Sequence, residues 1–277
     1  MVRQTGHFLL LPLAVAITVF VAVGVTQGQR GGAWASGRDM SPARGQQVSI
    51  LVYHRFGPAV MDSMTVRTST FRWQLKYLAE HHYVVVPLHA VIEYLLGHAT
   101  PPPTHSVVIT ADDGHISVFT EMWPAVRDYE VPVTLFIYPS AISNASYAMT
   151  WNQLQSLTRT GLFDIQSHTY WHPNFAAEKR RLTPEGYRAF ASTQLCKSSA
   201  VLHSKLSVMP TVVAWPFGIY DRDLFPIARD CGYEAGVTLE RRFVGAHDDV
   251  MALPRFLVTD TAVGARFAAM LPPEDPR

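Results

Sequence analysis

Two adjacent carboxylates, Asp112 and Asp113, follow the apolar run Ser106–Ala111 and precede Gly114. Successive side chains of a strand point to opposite faces, so neighbouring aspartates can share a task only if the chain turns there. Gly114 permits such a turn. With the turn, one carboxylate can bind a metal ion while its neighbour stays free as a base; the alternative is a solvated Asp-Asp-Gly loop. Farther along, Ser167-His168-Thr169-Tyr170-Trp171-His172-Pro173 sets two histidines four residues apart. On a helix or in a tight loop they can face one point, and imidazole is a common zinc ligand. Zinc peptidases of similar spacing carry a glutamate directly after the first histidine; Thr169 stands there instead, and a peptidase would lack its base. Two histidines alone do not make a metal site. Asp113 as a third ligand completes an Asp-His-His set that leaves one or two positions open for water and substrate, as a catalytic metal site requires.

The elements that must position these residues alternate between strand-length apolar runs and helix-like segments. Val48–Tyr53, Tyr83–Val86, Ser106–Ala111, Val133–Tyr138, Phe163–Gln166, Thr211–Trp215, Glu234–Thr238 and Leu253–Val258 read as strands. Between them, Thr70 is expected to cap a helix presenting Phe71, Leu75, Leu78 and Ala79, and Leu88–Leu96 forms a second. Pro101-Pro102-Pro103 is a loop. Phe119, Met122, Trp123 and Val126 mark another helix. Thr150 caps one with Leu154 and Leu157, Thr183-Pro184 opens a long one reaching Leu206, and Leu224–Arg229 forms another. This order implies an α/β fold with a parallel sheet covered by helices, either a barrel or an open doubly wound sheet. Both place their chemistry at the carboxyl ends of strands, where the two polar clusters lie.

A chain of 277 residues, 48% hydrophobic and 16% charged, can bury a sizeable core. One folded domain over residues 48–270 is expected, since α/β barrels run to roughly 200–250 residues as one unit. A net charge of +1 without a basic stripe gives no basis for a nucleic-acid partner. Cys196 and Cys231 are too few for a disulfide framework or a cysteine zinc site; they either pair in an oxidising compartment or stay as small buried thiols. The composition leaves the oligomeric state open. Phe8–Thr26 is almost unbroken apolar sequence preceded by Arg3. Its length falls between a signal-peptide core of about 7–15 residues and a span of about 20. Residues 1–26 are therefore expected to be a signal peptide or a membrane anchor, with 27–47 as a flexible linker. Ala33-Trp34-Ala35 is a candidate cleavage site, although Arg30 and the distance from the apolar run argue against it. Either way the rest of the chain is exported to the periplasm, cell surface or medium. Residues 272–277 read as a frayed tail.

Over residues 48–258 the chain resembles the polysaccharide deacetylase family, carbohydrate esterase family four. Thr110-Ala111-Asp112-Asp113-Gly114 is similar to the family's first motif, usually Thr-Phe-Asp-Asp-Gly, and Ser167–His172 to its second, His-Ser/Thr-x-x-x-His, with one residue fewer between the histidines. The resemblance implies a distorted (β/α) barrel, Asp112 as base, and Asp113, His168 and His172 as ligands of one divalent ion. Zinc is expected, with cobalt or nickel as other occupants. Within the family the chain looks most like the branch acting on poly-N-acetylglucosamine, where the acid histidine comes from the first strand. His54, closing Leu51-Val52-Tyr53, fits that position, and Met149-Thr150-Trp151 is also similar to that branch. The resemblance also implies an oxyanion contact from the Phe217 N–H. Trp215 is a candidate for stacking on a sugar. Among the departures from the family pattern, Ala111 replaces the usual aromatic, and Ala214 stands where most members carry the arginine that holds the base. Arg255, in Leu253-Pro254-Arg255-Phe256, is the candidate replacement and, with Trp215 and Phe217, is assigned to the substrate-binding side of the site.

The expected activity is removal of N-acetyl groups from an extracellular N-acetylglucosamine polysaccharide. Competing readings are deacetylation of peptidoglycan or a chitin-like polymer, a non-catalytic glycan-binding relative, and a magnesium phosphatase. The last lacks both an Asp-x-Asp pair and a phosphate-cradling glycine loop.

Overall fold

Alternation of apolar residues along short parallel strands gives this fold two hydrophobic faces, one inside the sheet and one under the helices. The computed structural model describes residues 47–273. The leader or anchor, residues 27–46 of the linker, and 274–277 of the tail lie outside the described residues. Among those described, no helix is long and apolar enough to cross a membrane.

In chain order the elements are β1 (Ser49–Tyr53), β2 (Arg55–Gly57), β3 (Thr65–Arg67), α1 (Thr68–Glu80), β4 (Val84–Val85), α2 (Leu88–Leu95), β5 (Ser106–Asp112), α3 (Trp123–Tyr129), β6 (Val133–Ile137), α4 (Trp151–Thr158), β7 (Phe163–Ser167), α5 (Phe175–Arg181), α6 (Pro184–Leu206), β8 (Val212–Ala214), α7 (Leu224–Asp230), β9 (Ala235–Val237), β10 (Phe256–Leu257) and α8 (Ala265–Ala268). The main sheet is parallel, ordered β10-β1-β5-β6-β7-β8-β9, with β4 added against β5. Its two ends are joined by one segment. Leu253 bridges Val237 of β9, and Phe256 and Leu257 then pair with Leu51 and Val52 of β1. So short a closure makes the barrel a distorted one.

Register decides which side chains face inward. Ile50, Val108, Phe136, Val212, Ala214 and Val237 share one cluster with Leu88, Val91 and Ile92 of α2. Leu51, Tyr53, Val107, Ile109, Ala111 and Leu135 belong to another, packed against α1, α3 and α4. Residues of one parity share a face. His54 therefore follows Ile50 inward, Asp112 follows Val108, and His168 follows the even positions of β7.

Local chemistry accounts for most boundaries. Thr150 and Gln153 form a reciprocal capping box on α4, and the Thr183 hydroxyl accepts the Gly186 N–H at 3.1 Å with Pro184 at the first turn of α6. The expected Thr70 cap is corrected. The α1 helix starts at Thr68, and Asp260 accepts hydrogen bonds from the Arg67 N–H and from the Thr70 hydroxyl, so a carboxylate distant in sequence does the work. The helix carrying Phe119 begins as one π turn, Val118–Met122. The β2–β3 pair and α5 have no counterpart in the sequence reading, because three-residue strands and a seven-residue helix carry too few periods to see.

Cys196 of α6 and Cys231, which ends α7, form a disulfide across 35 residues of sequence. Closing such a loop restricts the unfolded chain, for a typical gain of about 2–4 kcal/mol. Cys196→Ser/Cys231→Ser is expected to lose about that much unfolding free energy by urea titration. A midpoint unchanged from the oxidised parent would contradict this.

Candidate active site

The carboxyl ends of β1, β5, β6, β7 and β8 surround a cavity of about 330 Å³, lined by His54, Arg55, Met64, Asp112, Asp113, Tyr138, His168, His172, Trp215, Phe217 and Leu239. Two roomier hollows, about 400 Å³ beside α6 and α7 and about 610 Å³ beside Arg241 and Arg266, gather no histidines.

Asp112 is the last residue of β5 and faces inward. Asp113, next in sequence, would face the helices if the strand continued, but its φ of +73° and Gly114's +72° swing the chain round. At Gly114 a Cβ would lie 3.0–3.1 Å from Ile142 and Ile137 methyls, so the turn needs glycine for space as well as for φ. Both carboxylates thus reach one cavity from different sides. Asp113 Oδ1 lies 3.6 Å from His168 Nε2 and 3.8 Å from His172 Nε2. One ligand atom from each of these three residues falls within 4.8 Å of the others.

The histidine loop is strained in a purposeful way. Among the described residues nine non-glycines have positive φ, and four of them (Asp113, Thr169, His172 and Phe217) lie at or beside this cavity. Such conformations cost about 1–3 kcal/mol each and persist where surrounding structure enforces them. Enforcement is visible here: the Thr169 N–H donates to the Ser167 hydroxyl, and the His172 N–H to the Thr169 hydroxyl. His168 Nδ1 donates to the Ala214 carbonyl at 2.8 Å, which leaves the Nε2 lone pair aimed at Asp113. Ala214, where an arginine was expected, contributes its backbone instead.

Electrostatics separates the two carboxylates. Burial alone would raise the Asp112 pKa, but the Arg255 guanidinium, assisted by His168 and His54, holds it down to about 2. Arg255 Nη1 and Nη2 donate to Asp112 Oδ1 and Oδ2 at 2.8 and 2.7 Å, and Nε donates to the Thr238 carbonyl. Asp113 is pushed the other way, by burial and by the charge of Asp112. Burial drives His168 down to about 3 and also lowers His172. A carboxylate that needs a cation beside two neutral imidazoles is a donor set that fits a divalent metal ion.

His54 completes the ring from the end of β1. His54 Nδ1 and Arg55 Nε are the buried side-chain polar atoms with no hydrogen-bond partner among the described residues. That both belong to this cavity marks it as a site built for a ligand rather than for stability.

Two substrate-binding assignments are corrected. Trp215 shares parity with Val213 and points outward into the core beside Phe175 and Phe225, fully buried, with its Nε1 donating to the Met251 carbonyl. A Cβ on Gly236 would lie 2.5 Å from that Nε1, so the indole packs directly on the bare Gly236 backbone. Arg255 is also fully buried, and its guanidinium is committed to Asp112, Thr110 and Thr238. Phe217 is 57% exposed at the mouth, its ring 4.5 Å from that of His172. Sequence reading overlooked Tyr138 and Arg55. Tyr138 closes the β6 run on the same rim, and its position there was the available signal; Arg55 simply follows His54.

Removing Arg255 tests the charge pair. Asp112 now contributes stability above its ordinary pKa of 3.8, lost as pH falls toward 2. In Arg255→Met the largest charge that opposes burial is gone and the carboxyl rises, so its contribution is present at acid pH and lost as pH climbs. Breaking a buried pair costs about 3–5 kcal/mol, expected at pH 7 and shrinking toward pH 4 in urea titrations. A deficit that grows on acidification would refute the assignment.

The family model for polysaccharide deacetylase matches residues 99–236, a stretch that contains both aspartates and both histidines but neither His54 nor Arg255. The poly-beta-1,6-N-acetyl-D-glucosamine N-deacetylase of Staphylococcus aureus strain MRSA252 is 24% identical over 206 residues, 73% of this chain and 70% of the relative. Among solved structures, the Streptococcus pyogenes deacetylase PplD superposes with a TM-score of 0.72 at 20% identity, covering 82% of this chain and 99% of that one. IcaB from Ammonifex degensii gives 0.70 at 24%, covering 82% and 97%. At these identities the structures speak for the barrel alone. The family model, falling on the strand ends that build the cavity, decides the rest: the chain belongs to the polysaccharide deacetylase family and is a deacetylase.

Proposed function

We propose that the protein is a metal-dependent N-deacetylase of poly-N-acetylglucosamine, working outside the cytoplasm. The observation that carries the metal-dependent mechanism is the separation of duties in one cavity: an Asp-His-His donor set next to a carboxylate kept charged by its own arginine. The named activity of the Staphylococcus aureus relative, and the likeness of its sequence along 73% of this chain, support the choice of polymer.

Asp113, His168 and His172 would hold the ion. Zinc is the first choice and cobalt or nickel are alternatives, since sites of N and O donors discriminate weakly among these. When bound, such an ion polarises the acetamide carbonyl and acidifies water. Asp112, charged at neutral pH and fixed in direction by two hydrogen bonds, takes the proton of the attacking water. The Phe217 backbone N–H, at the mouth beside His172, faces the developing oxyanion in this reading. His54 stands across the cavity and delivers a proton to the departing amine nitrogen, which leaves poorly as an anion.

Export rests on two features. Phe8–Thr26 is apolar enough for a leader or an anchor, and the Cys196–Cys231 disulfide suits an oxidising compartment. Active enzyme with both thiols reduced in the cytosolic fraction would overturn it.

Purified protein with zinc, cobalt or nickel is expected to release acetate from β-1,6-linked N-acetylglucosamine oligomers and to stop when a chelator is added. Acetate from peptidoglycan or chitin fragments but not from these oligomers would move the substrate; none from any glycan would sink the reading. His54→Ala is expected to lose about 10²–10⁴-fold on the amide and less on an acetate ester, whose leaving group depends less on a proton. Equal losses on both would show that His54 is not the acid.

A further inference from the structure

Four large aromatic side chains stand well exposed among the described residues: Trp73, Tyr147, Trp171 and Phe217. Trp73 lies on α1 against Tyr77 and Phe267, away from the cavity. The other three gather around His172. Phe217 lies edge-on to it; the Tyr147 hydroxyl is 2.6 Å from that of Tyr138, whose ring is 5.5 Å from His172; Trp171 precedes it in the chain. Leaving an indole 52% in water forgoes burial that the hydrophobic effect favours, and large exposed apolar groups collected at one place mark a binding surface.

Of the three, Trp171 has no task in the site already described. Phe217 is part of the cavity wall. One face of Tyr147 is stacked on His115, at an interplanar angle of 13°. Trp171 is not among the cavity-lining residues, and its one ring neighbour among the described residues, Phe190, meets it tilted by 58° at 6.1 Å. Its backbone is held: the Trp171 N–H donates to Gln194 Oε1 of α6 at 3.1 Å, the Tyr170 carbonyl accepts from the Ser140 N–H, and Lys197 sits 4.0 Å over the Tyr170 ring. Thr169 and His172 both have positive φ, and of the two neighbours His172 lines the cavity while Trp171 stands outside that lining, its ring toward Phe190 of α6. The backbone that carries the indole is thus held next to His172, while the ring itself stays half exposed.

We infer that Trp171 forms a second, non-catalytic subsite, stacking on the pyranose ring next to the sugar being deacetylated. This rests on the glycan-deacetylase reading above. A pyranose offers an apolar C–H face with hydroxyls at its edge, and an indole matches it with a flat apolar face and a polar edge. The reacting N-acetylated sugar occupies the cavity; its neighbour in the polymer lies across the rim, where Trp171 receives it. The enzyme therefore prefers oligomers to single sugars, and the preference resides in binding.

The test compares the parent, Trp171→Ala and Trp171→Phe on a pentamer of N-acetylglucosamine and on its single-sugar methyl glycoside, with thermal melts as the check on folding. Trp171→Ala is expected to raise KM for the pentamer about five- to tenfold, leave kcat nearly unchanged and leave the single sugar unaffected, with Trp171→Phe between. Pentamer binding should also change the tryptophan emission of the parent and not that of Trp171→Phe, a readout that needs no turnover. Pentamer KM and emission response unchanged by substitution would overturn the subsite while leaving the activity intact. Absence of acetate release by the parent, with the emission change present, would instead overturn the deacetylase assignment and keep the glycan platform.

Discussion

Arg255 and Asp112 are both withdrawn from water, and the two hydrogen bonds between them tie the end of β5 to the segment that closes the barrel. Leu253, two residues before Arg255, bridges β9, and Phe256, one residue after, pairs with β1. The charge pair therefore sits where the ring is thinnest. It is not there for stability: a buried ion pair roughly breaks even against a well-packed apolar one. What it secures is an ionised carboxylate in a place where burial would otherwise neutralise it, aimed by a guanidinium that is itself held by Thr238 and Thr110.

Once Asp112 is fixed, the rest of the cavity follows as a division of labour. The left-handed turn at Asp113 sends the second carboxylate toward the histidine loop, where two imidazoles are kept neutral by burial. The Ala214 carbonyl sets the tautomer of His168. Ala214 thus serves the site through its backbone alone. The charge comes from Arg255, just ahead of β10, and the Ala214 backbone orients a histidine.

Much of this was legible because it depends on local pattern. Ser106–Ala111 ending in Asp-Asp-Gly, and two histidines four apart after another strand, mark the rim from composition and spacing alone. The strand period of two also carried information left unused. Trp215 alternates with the inward Val212 and Ala214 and had to point into the outer core, away from substrate. Other features depend on contacts remote in sequence. Thr70 looked like a helix cap because its partner Asp260 lies 190 residues away, and the cysteine pairing waited on the packing of α6 against α7. Arg255 was identifiable as a candidate only because the family pattern left a gap at Ala214. No local signal distinguishes it from a surface arginine.

Two neighbouring aspartates, Asp112 and Asp113, do different work in one cavity. Bound metal and acetate release, measured side by side for Asp112→Asn and Asp113→Asn, test that most directly. Asp112→Asn is predicted to keep one ion per chain and lose activity, while Asp113→Asn loses both. If both variants keep the ion, or both shed it, the division of labour between the two carboxylates is wrong.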